Sequence, residues 1–211
     1  MNNVAPAPSE GFGEVYAEEQ LRRSRHPLRR FIKGFYLRSV LEHVQGPTID
    51  FGCGAGQLLE RLPPGSTGLE LNPFLIRNLT GRGLDARAST ADEAAFDLQS
   101  LEPGRYRTLV ISHVLEHLPD PTAMFGRLLR ACRRLGLQRV IVIVPGAKGY
   151  ASDATHRCFI DWNYAQSHGW QQLEGFQLSR RRFFPWPQET GGNWFVYNEM
   201  QMVFDDMTPL R

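Results

Sequence analysis

The stretch that most limits what this chain can fold into is Thr48-Ile49-Asp50-Phe51-Gly52-Cys53-Gly54-Ala55-Gly56. An apolar run ends in an acid and passes into three glycines at alternate positions. Glycine reaches backbone conformations closed to other residues and carries no Cβ, so such a loop lets the main chain lie against a ligand. Two familiar phosphate loops fit poorly. A nicotinamide-dinucleotide fold asks for glycine or alanine where Gln57 stands, counting from Gly52. A P-loop ends in Gly-Lys-Ser/Thr, and no lysine is near. An ordinary glycine-rich turn is the remaining alternative.

The segments that follow suit alternating strands and helices. Gln57 to Leu62 is helix-like and is cut short by Pro63-Pro64-Gly65. Ser66 to Leu71 reads as a second buried strand, and Asn72-Pro73 as the N-cap and first residue of a helix. A strand, a helix and another strand make a right-handed crossover, which brings Glu70 beside the glycine loop at the carboxyl edge where ligands bind. Leu84 to Ala88 is a third strand and Arg107 to Ser112 a fourth. Asp120-Pro121 caps a helix that runs to Leu135 and is closed by Gly136. Arg139 to Val144 is a near-continuous β-branched run, expected of a strand buried on both faces. Phe176 to Phe184 and Trp194 to Phe204 form a final antiparallel pair.

The fourth strand runs into Val114-Leu115-Glu116-His117-Leu118-Pro119-Asp120-Pro121. Together with the D-x-G-x-G-x-G loop, this V-L-E-H-L-x-D-P stretch resembles the class I S-adenosylmethionine (SAM)-dependent methyltransferases, over roughly Val44 to Phe204. The resemblance implies a Rossmann-like, doubly wound, mostly parallel seven-stranded sheet with an antiparallel last strand and helices on both faces. It implies SAM as cofactor and S-adenosylhomocysteine as product. The cofactor residues it implies are Asp50, Gly52, Gly54, Gly56, Glu70, Leu71, Thr90, Ala91 and His113. Glu70 takes the ribose hydroxyls and Leu71 packs on adenine. Thr90 stands where the family places an acid for the adenine amino group. Asp92 substitutes only after a shift of two residues, and a backbone N–H near Ala91 can still reach an adenine nitrogen.

Methyl transfer from a sulfonium is an in-line displacement, so the protein chiefly holds the acceptor behind the methyl group. A base is needed only where the nucleophile loses a proton. His113, at the tip of strand four, and His156, on the long aperiodic segment after strand five, are the candidate bases. His117 reads as a packed histidine steadying its loop. The segment 145–175 is a candidate substrate lid, and Trp186 and Trp194 are candidate pocket residues. Asp153, His156 and His168 show no convergent ligand pattern, so no metal is expected.

The amino methylation signature of base-modifying enzymes is absent after strand four, so a small or medium acceptor with a hydroxyl is favoured: a sugar or glycan precursor, a quinone-like phenol, or another metabolite. The alternatives are a nicotinamide-dependent oxidoreductase and a non-catalytic methyltransferase-like binding protein. Residues 1–13 are expected to be mobile, and 14–211 to form one domain. In the helical segment 14–47, Phe31, Phe35, Val40 and Leu41 are expected to form an apolar stripe. Between Leu21 and Arg38 lie seven basic residues and no acid. That face suits solvent, an anionic group of a ligand, or a weak contact with an anionic membrane surface. A net charge of +2 does not point to nucleic acid. Three cysteines fit neither a metal spacing nor a disulfide framework. With no long apolar run and no signal-like start, a cytoplasmic location is expected.

Overall fold

The structure is a computed structural model and describes residues 13–25, 27–90 and 95–207. The expectations for residues 1–12, Ala91 and Asp92 lie outside the described residues. The strands are β1 (Thr48–Phe51), β2 (Thr67–Glu70), β3 (Ala86–Ala88), β4 (Thr108–Ser112), β5 (Arg139–Pro145), β6 (Gln172–Leu173), β7 (Phe176–Phe184) and β8 (Glu199–Asp206). Among the described residues they form one sheet in the order β3-β2-β1-β4-β5-β8-β7-β6. The first five are mutually parallel, and β8 runs antiparallel between β5 and β7. The expected seven strands are present, and the two-residue β6 adds an eighth as a hairpin on the edge.

Strand residues alternate between two cores. Leu109, Ile111, Val140, Val142 and Val144 face one side, with Phe125, Leu128, Leu129 and Cys132 of the helix Pro121–Leu135. Val110, Ile141 and Ile143 face the other, under Leu37 and Val40 of the helix Pro27–Leu41. This burial on both faces is why β4 and β5 read as unbroken apolar runs.

The caps explain where the helices start. Asn72 Oδ1 accepts from the amides of Phe74 (2.9 Å) and Leu75 (3.3 Å), with Pro73 opening the helix Pro73–Gly81. Asp120 Oδ1 accepts from Ala123 N at 3.0 Å, and Gly136 ends that helix in the left-handed conformation at φ 76°. Asp120→Ala is expected to lower the unfolding free energy by about 1 kcal/mol, read from urea denaturation.

Two local expectations give way. The helix after the glycine loop is only a 3-10 turn at Leu59–Arg61. Leu62 precedes a proline and takes the extended conformation (ψ 155°), so too few residues remain to close an α-helix. In the helix Pro27–Leu41, Tyr36, Leu37, Val40 and Leu41 turn to the sheet. Phe31 and Phe35 lie on a different stripe, 65% and 48% exposed, and meet edge to face.

Candidate functional site

The carboxyl ends of β1 and β2 bring the glycine loop and Glu70 together. Gly52, Gly54 and Gly56 all have positive φ (74°, 53° and 75°), which favours glycine. The reasons differ along the loop. A Cβ on Gly52 would come within 2.7 Å of Val114 Cγ2, and one on Gly56 would overlap the Leu79 side chain. A Cβ on Gly54 would meet nothing within 4 Å. Glu70 Oε2 accepts from Gly54 N at 2.8 Å, and Oε1 accepts from Leu71 N (2.8 Å) and Asn72 N (3.0 Å). The acid therefore ties the loop to the start of the next helix. Leu71 stands beside it, 59% exposed. The amide of Ser89 donates to the Glu70 carbonyl at 2.8 Å, which sets exposed Thr90 just past this edge.

Asp50 lies beneath the loop and is almost fully buried. Burial and the nearby Glu70 charge push its carboxyl up to about 7, against the opposing pull of Lys33. Its Oδ2 has no hydrogen-bond partner among the described residues.

A second cluster surrounds the end of β4. His113 leaves the strand in the left-handed conformation (φ 56°), a position histidine occupies more readily than most residues. Its ring then spans two acids. Nδ1 is 3.2 Å from Glu116 Oε1, and Nε2 is 3.1 Å from Glu199 Oε1 at the start of β8. Burial disfavours the imidazolium, but the carboxylates of Glu199 and Glu116 outweigh it and push the pKa up to about 10. At neutral pH both ring nitrogens are donors, and no lone pair is left to take a proton. Glu116 Oε2 and Glu199 Oε2 are buried without a hydrogen-bond partner among the described residues. Next to the same strand end, the Tyr36 hydroxyl pairs with Ser112 Oγ at 2.5 Å. Burial, then the Glu199 charge, raise the Tyr36 pKa well above its usual value.

The segment after β5 is fastened to this cluster. Arg157 N and Cys158 N donate to the Glu116 carbonyl at 2.8 and 3.1 Å. His156 stacks on Tyr150 and directs Nε2 toward Glu116 Oε1 at 3.8 Å. His117 Nδ1 pairs with Thr155 Oγ1 at 3.0 Å. His168 instead bonds the Tyr164 carbonyl and stacks on that ring, so the group that converges among the described residues is Glu116, His117 and His156. Beside the end of β5, a cavity of about 130 Å3 is lined by Pro145, Phe159, Ile160, Phe183 and Met200, among others. Trp186 and Trp194 are not among its lining residues and are 51% and 80% exposed. Phe159 and Phe183 are the aromatic residues in the wall of this cavity.

Glu199 and Tyr36 escape the sequence reading. Glu116 lies inside the V-L-E-H-L stretch, but its buried carboxylate has no signature beyond that. Glu199 opens a strand whose next five residues are buried, a pattern that marks the strand and not the acid.

The family described as "Methyltransferase domain" matches residues 18–185. A "Ubiquinone biosynthesis O-methyltransferase" of Xanthomonas euvesicatoria is 31% identical over 122 residues, 56% of this chain and 46% of that protein. A protein of the same description from Pseudomonas aeruginosa is 31% identical over 113 residues, 49% of this chain and 42% of its own. These alignments take in about half the length of the curated relatives. Among solved structures, a SAM-dependent methyltransferase from Archaeoglobus fulgidus aligns with TM-score 0.66 at 20% identity, covering 91% of this chain and 99% of its own. An N-methyltransferase from Bradyrhizobium japonicum in complex with S-adenosylhomocysteine aligns with TM-score 0.62 at 15% identity, covering 92% and 98%. The fold thus has counterparts across nearly the whole chain, and the protein belongs to the methyltransferase domain family, with the fold of the class I SAM-dependent methyltransferases.

Proposed function

We propose that the chain transfers the methyl group of SAM to a hydroxyl oxygen of a small or medium-sized acceptor that carries a ring. The observation that carries the cofactor half is the tie from Gly54 N to Glu70 Oε2, made over a loop whose central glycine has open space in front of it. The residues present fit the cofactor on three counts. The Gly54 backbone is bare where a ligand can approach. Glu70 keeps about one acceptor site beyond its three amide bonds, enough for a ribose hydroxyl, and a second hydroxyl would replace one of those amides. Asp50 holds a buried oxygen without a donor, suited to the cationic amino acid end of the ligand. Leu71 offers an exposed apolar surface for adenine, and Thr90 follows β3 at the same edge. When bound, SAM supplies an electrophilic methyl group on a sulfonium.

The acceptor half rests on the β4 end and the neighbouring cavity. A space of about 130 Å3 with two phenylalanines in its wall holds roughly one aromatic ring. The relatives described as ubiquinone biosynthesis O-methyltransferases support oxygen as the methylated atom. In place of the base expected of His113, we assign proton acceptance to Glu199. Its Oε1 is held by the His113 imidazolium, and its Oε2 is a buried acceptor that an acceptor hydroxyl would satisfy. His113 is then the positioning residue that fixes Glu199 and Glu116. The segment 145–175, tied to Glu116, covers the acceptor and excludes water.

Calorimetric titration tests the cofactor. SAM and S-adenosylhomocysteine are expected to bind in the micromolar range and NADH not at all. Absence of SAM binding, or preference for NADH, would leave only the fold. Incubation of radiolabelled SAM with phenol, catechol and sugar acceptors then reads the methylated class.

A further inference from the structure

The hydrogen bonds around Glu116, His117 and His156 fix which ring nitrogens carry protons. His156 Nδ1 lies 2.8 Å from the Tyr150 carbonyl, which can only accept, so Nδ1 bears the hydrogen and, in the neutral ring, Nε2 the lone pair. The Thr155 hydroxyl has one hydrogen, and it goes to Asp153 Oδ1 at 2.6 Å. Thr155 Oγ1 therefore accepts from His117 Nδ1 at 3.0 Å, and Nε2 is again the unprotonated nitrogen. A backbone carbonyl behind one histidine and a Thr–Asp relay behind the other are the supports that orient metal-ligating imidazoles.

Glu116 is fully buried, and its Oε2 has no partner among the described residues. The His156 Nε2 lone pair faces Glu116 Oε1 at 3.8 Å, too far for a hydrogen bond. One ligand atom from each of Glu116, His117 and His156 lies within 4.8 Å of the other two. A point therefore exists within about 2.8 Å of all three, and a contraction of less than about 1 Å reaches ordinary zinc–nitrogen and zinc–oxygen distances.

We propose that Glu116, His117 and His156 form a binding site for a divalent transition metal of borderline softness, with zinc as the best match. Two imidazoles and one carboxylate suit zinc, cobalt or nickel in preference to magnesium or calcium, which favour oxygen ligands throughout. Three protein ligands leave a coordination position open for water or for an oxygen of a small ligand. The site joins the turn after β4 to the segment after β5, so metal binding fastens the two together. This assignment does not depend on the methyl-transfer reading.

The test uses the full chain, stripped with a chelator and titrated with zinc alone, with cobalt as a visible-absorption probe. The wild type is expected to bind a single zinc ion and to give the intense visible bands of tetrahedral cobalt. His117→Ala and His156→Ala are each expected to weaken zinc binding at least about a hundredfold, while His168→Ala leaves it unchanged. If either histidine variant fails to fold by circular dichroism, Thr155→Val decides: binding about tenfold weaker supports the site, and unchanged binding overturns it. No uptake by the wild type, or equal uptake by folded His117→Ala and His156→Ala, also overturns it.

Discussion

Glu70→Ala is expected to weaken S-adenosylhomocysteine binding at least about a hundredfold, the equivalent of two charge-assisted hydrogen bonds at about 1.5 kcal/mol each. The carboxylate is already engaged without a ligand, holding the amides of Gly54, Leu71 and Asn72. Its removal takes away the proposed ribose acceptor and also frees the glycine loop from the end of β2. The fold should survive, because the released amides lie at a partly exposed edge where water replaces the carboxylate. Gly54→Ala separates ligand contact from folding. Its methyl meets no protein atom within 4 Å, so the stability cost is the left-handed backbone alone, about 1–2 kcal/mol. Gly56→Ala must displace Leu79 and is expected to unfold more readily. Calorimetric titration beside thermal melts distinguishes the cases. A Gly54→Ala protein that folds and binds like the wild type would remove the loop from the cofactor assignment.

The sequence shows the scaffold more openly than it shows the chemistry. The strands at Thr48–Phe51, Thr108–Ser112 and Arg139–Pro145, and the helices capped by Asn72 and Asp120, announce themselves through local physics. Burial on both faces demands β-branched runs, and capping demands short polar side chains before proline. The 3-10 turn at Leu59–Arg61 was nearly legible, since the proline after Leu62 forbids its last turn. In Pro27–Leu41, Val40 and Leu41 face the sheet as expected, while Phe31 and Phe35 do not, because they are as apolar as Leu37 and more so than Tyr36 and so compete as a second stripe. Apolarity alone does not assign a face when two stripes compete.

The electrostatic centre was less accessible for a different reason. His113 and Glu199 are 86 positions apart and meet only because β8 inserts beside β5. Nothing near Glu199 in the sequence marks it. His113 was found as a residue, but its protonation depends on both partners, and one of them was out of view. The sequence located the glycine loop, Glu70 and the β4 turn because those features are built from neighbours in the chain.

Glu199→Gln is expected to lower kcat for a hydroxyl acceptor by about 10²–10⁴-fold with little change in KM, the range of a lost general base. Loss of kcat alone would also follow from a displaced acceptor, so pH dependence of stability supplies a second reading. His113 has its folded pKa raised from 6.5 to about 10. Its stabilisation is therefore complete below about pH 6.5 and is lost as pH climbs toward 10, because the unfolded chain releases this proton first. One proton gives a slope of about −1.4 kcal/mol per pH unit. The ring is about a third exposed (35%), so solvent screening reduces the expected loss between pH 7 and 9 to about 2 kcal/mol. Asp50, with its carboxyl raised to about 7, acts in the same direction but at lower pH, between about 4 and 7. The buried Cys53 and Cys132 thiols, also raised, add their own loss chiefly above about pH 8.5, equally in wild type and variant. Urea titrations from pH 7 to 8.5 thus read chiefly His113, on top of the end of the Asp50 titration, which wild type and variants share. Glu199→Gln and His113→Asn should each flatten the slope there. A Glu199→Gln protein that keeps the wild-type slope would show that Glu199 does not hold the imidazolium, and its role as the positioned proton acceptor would fall with that contact.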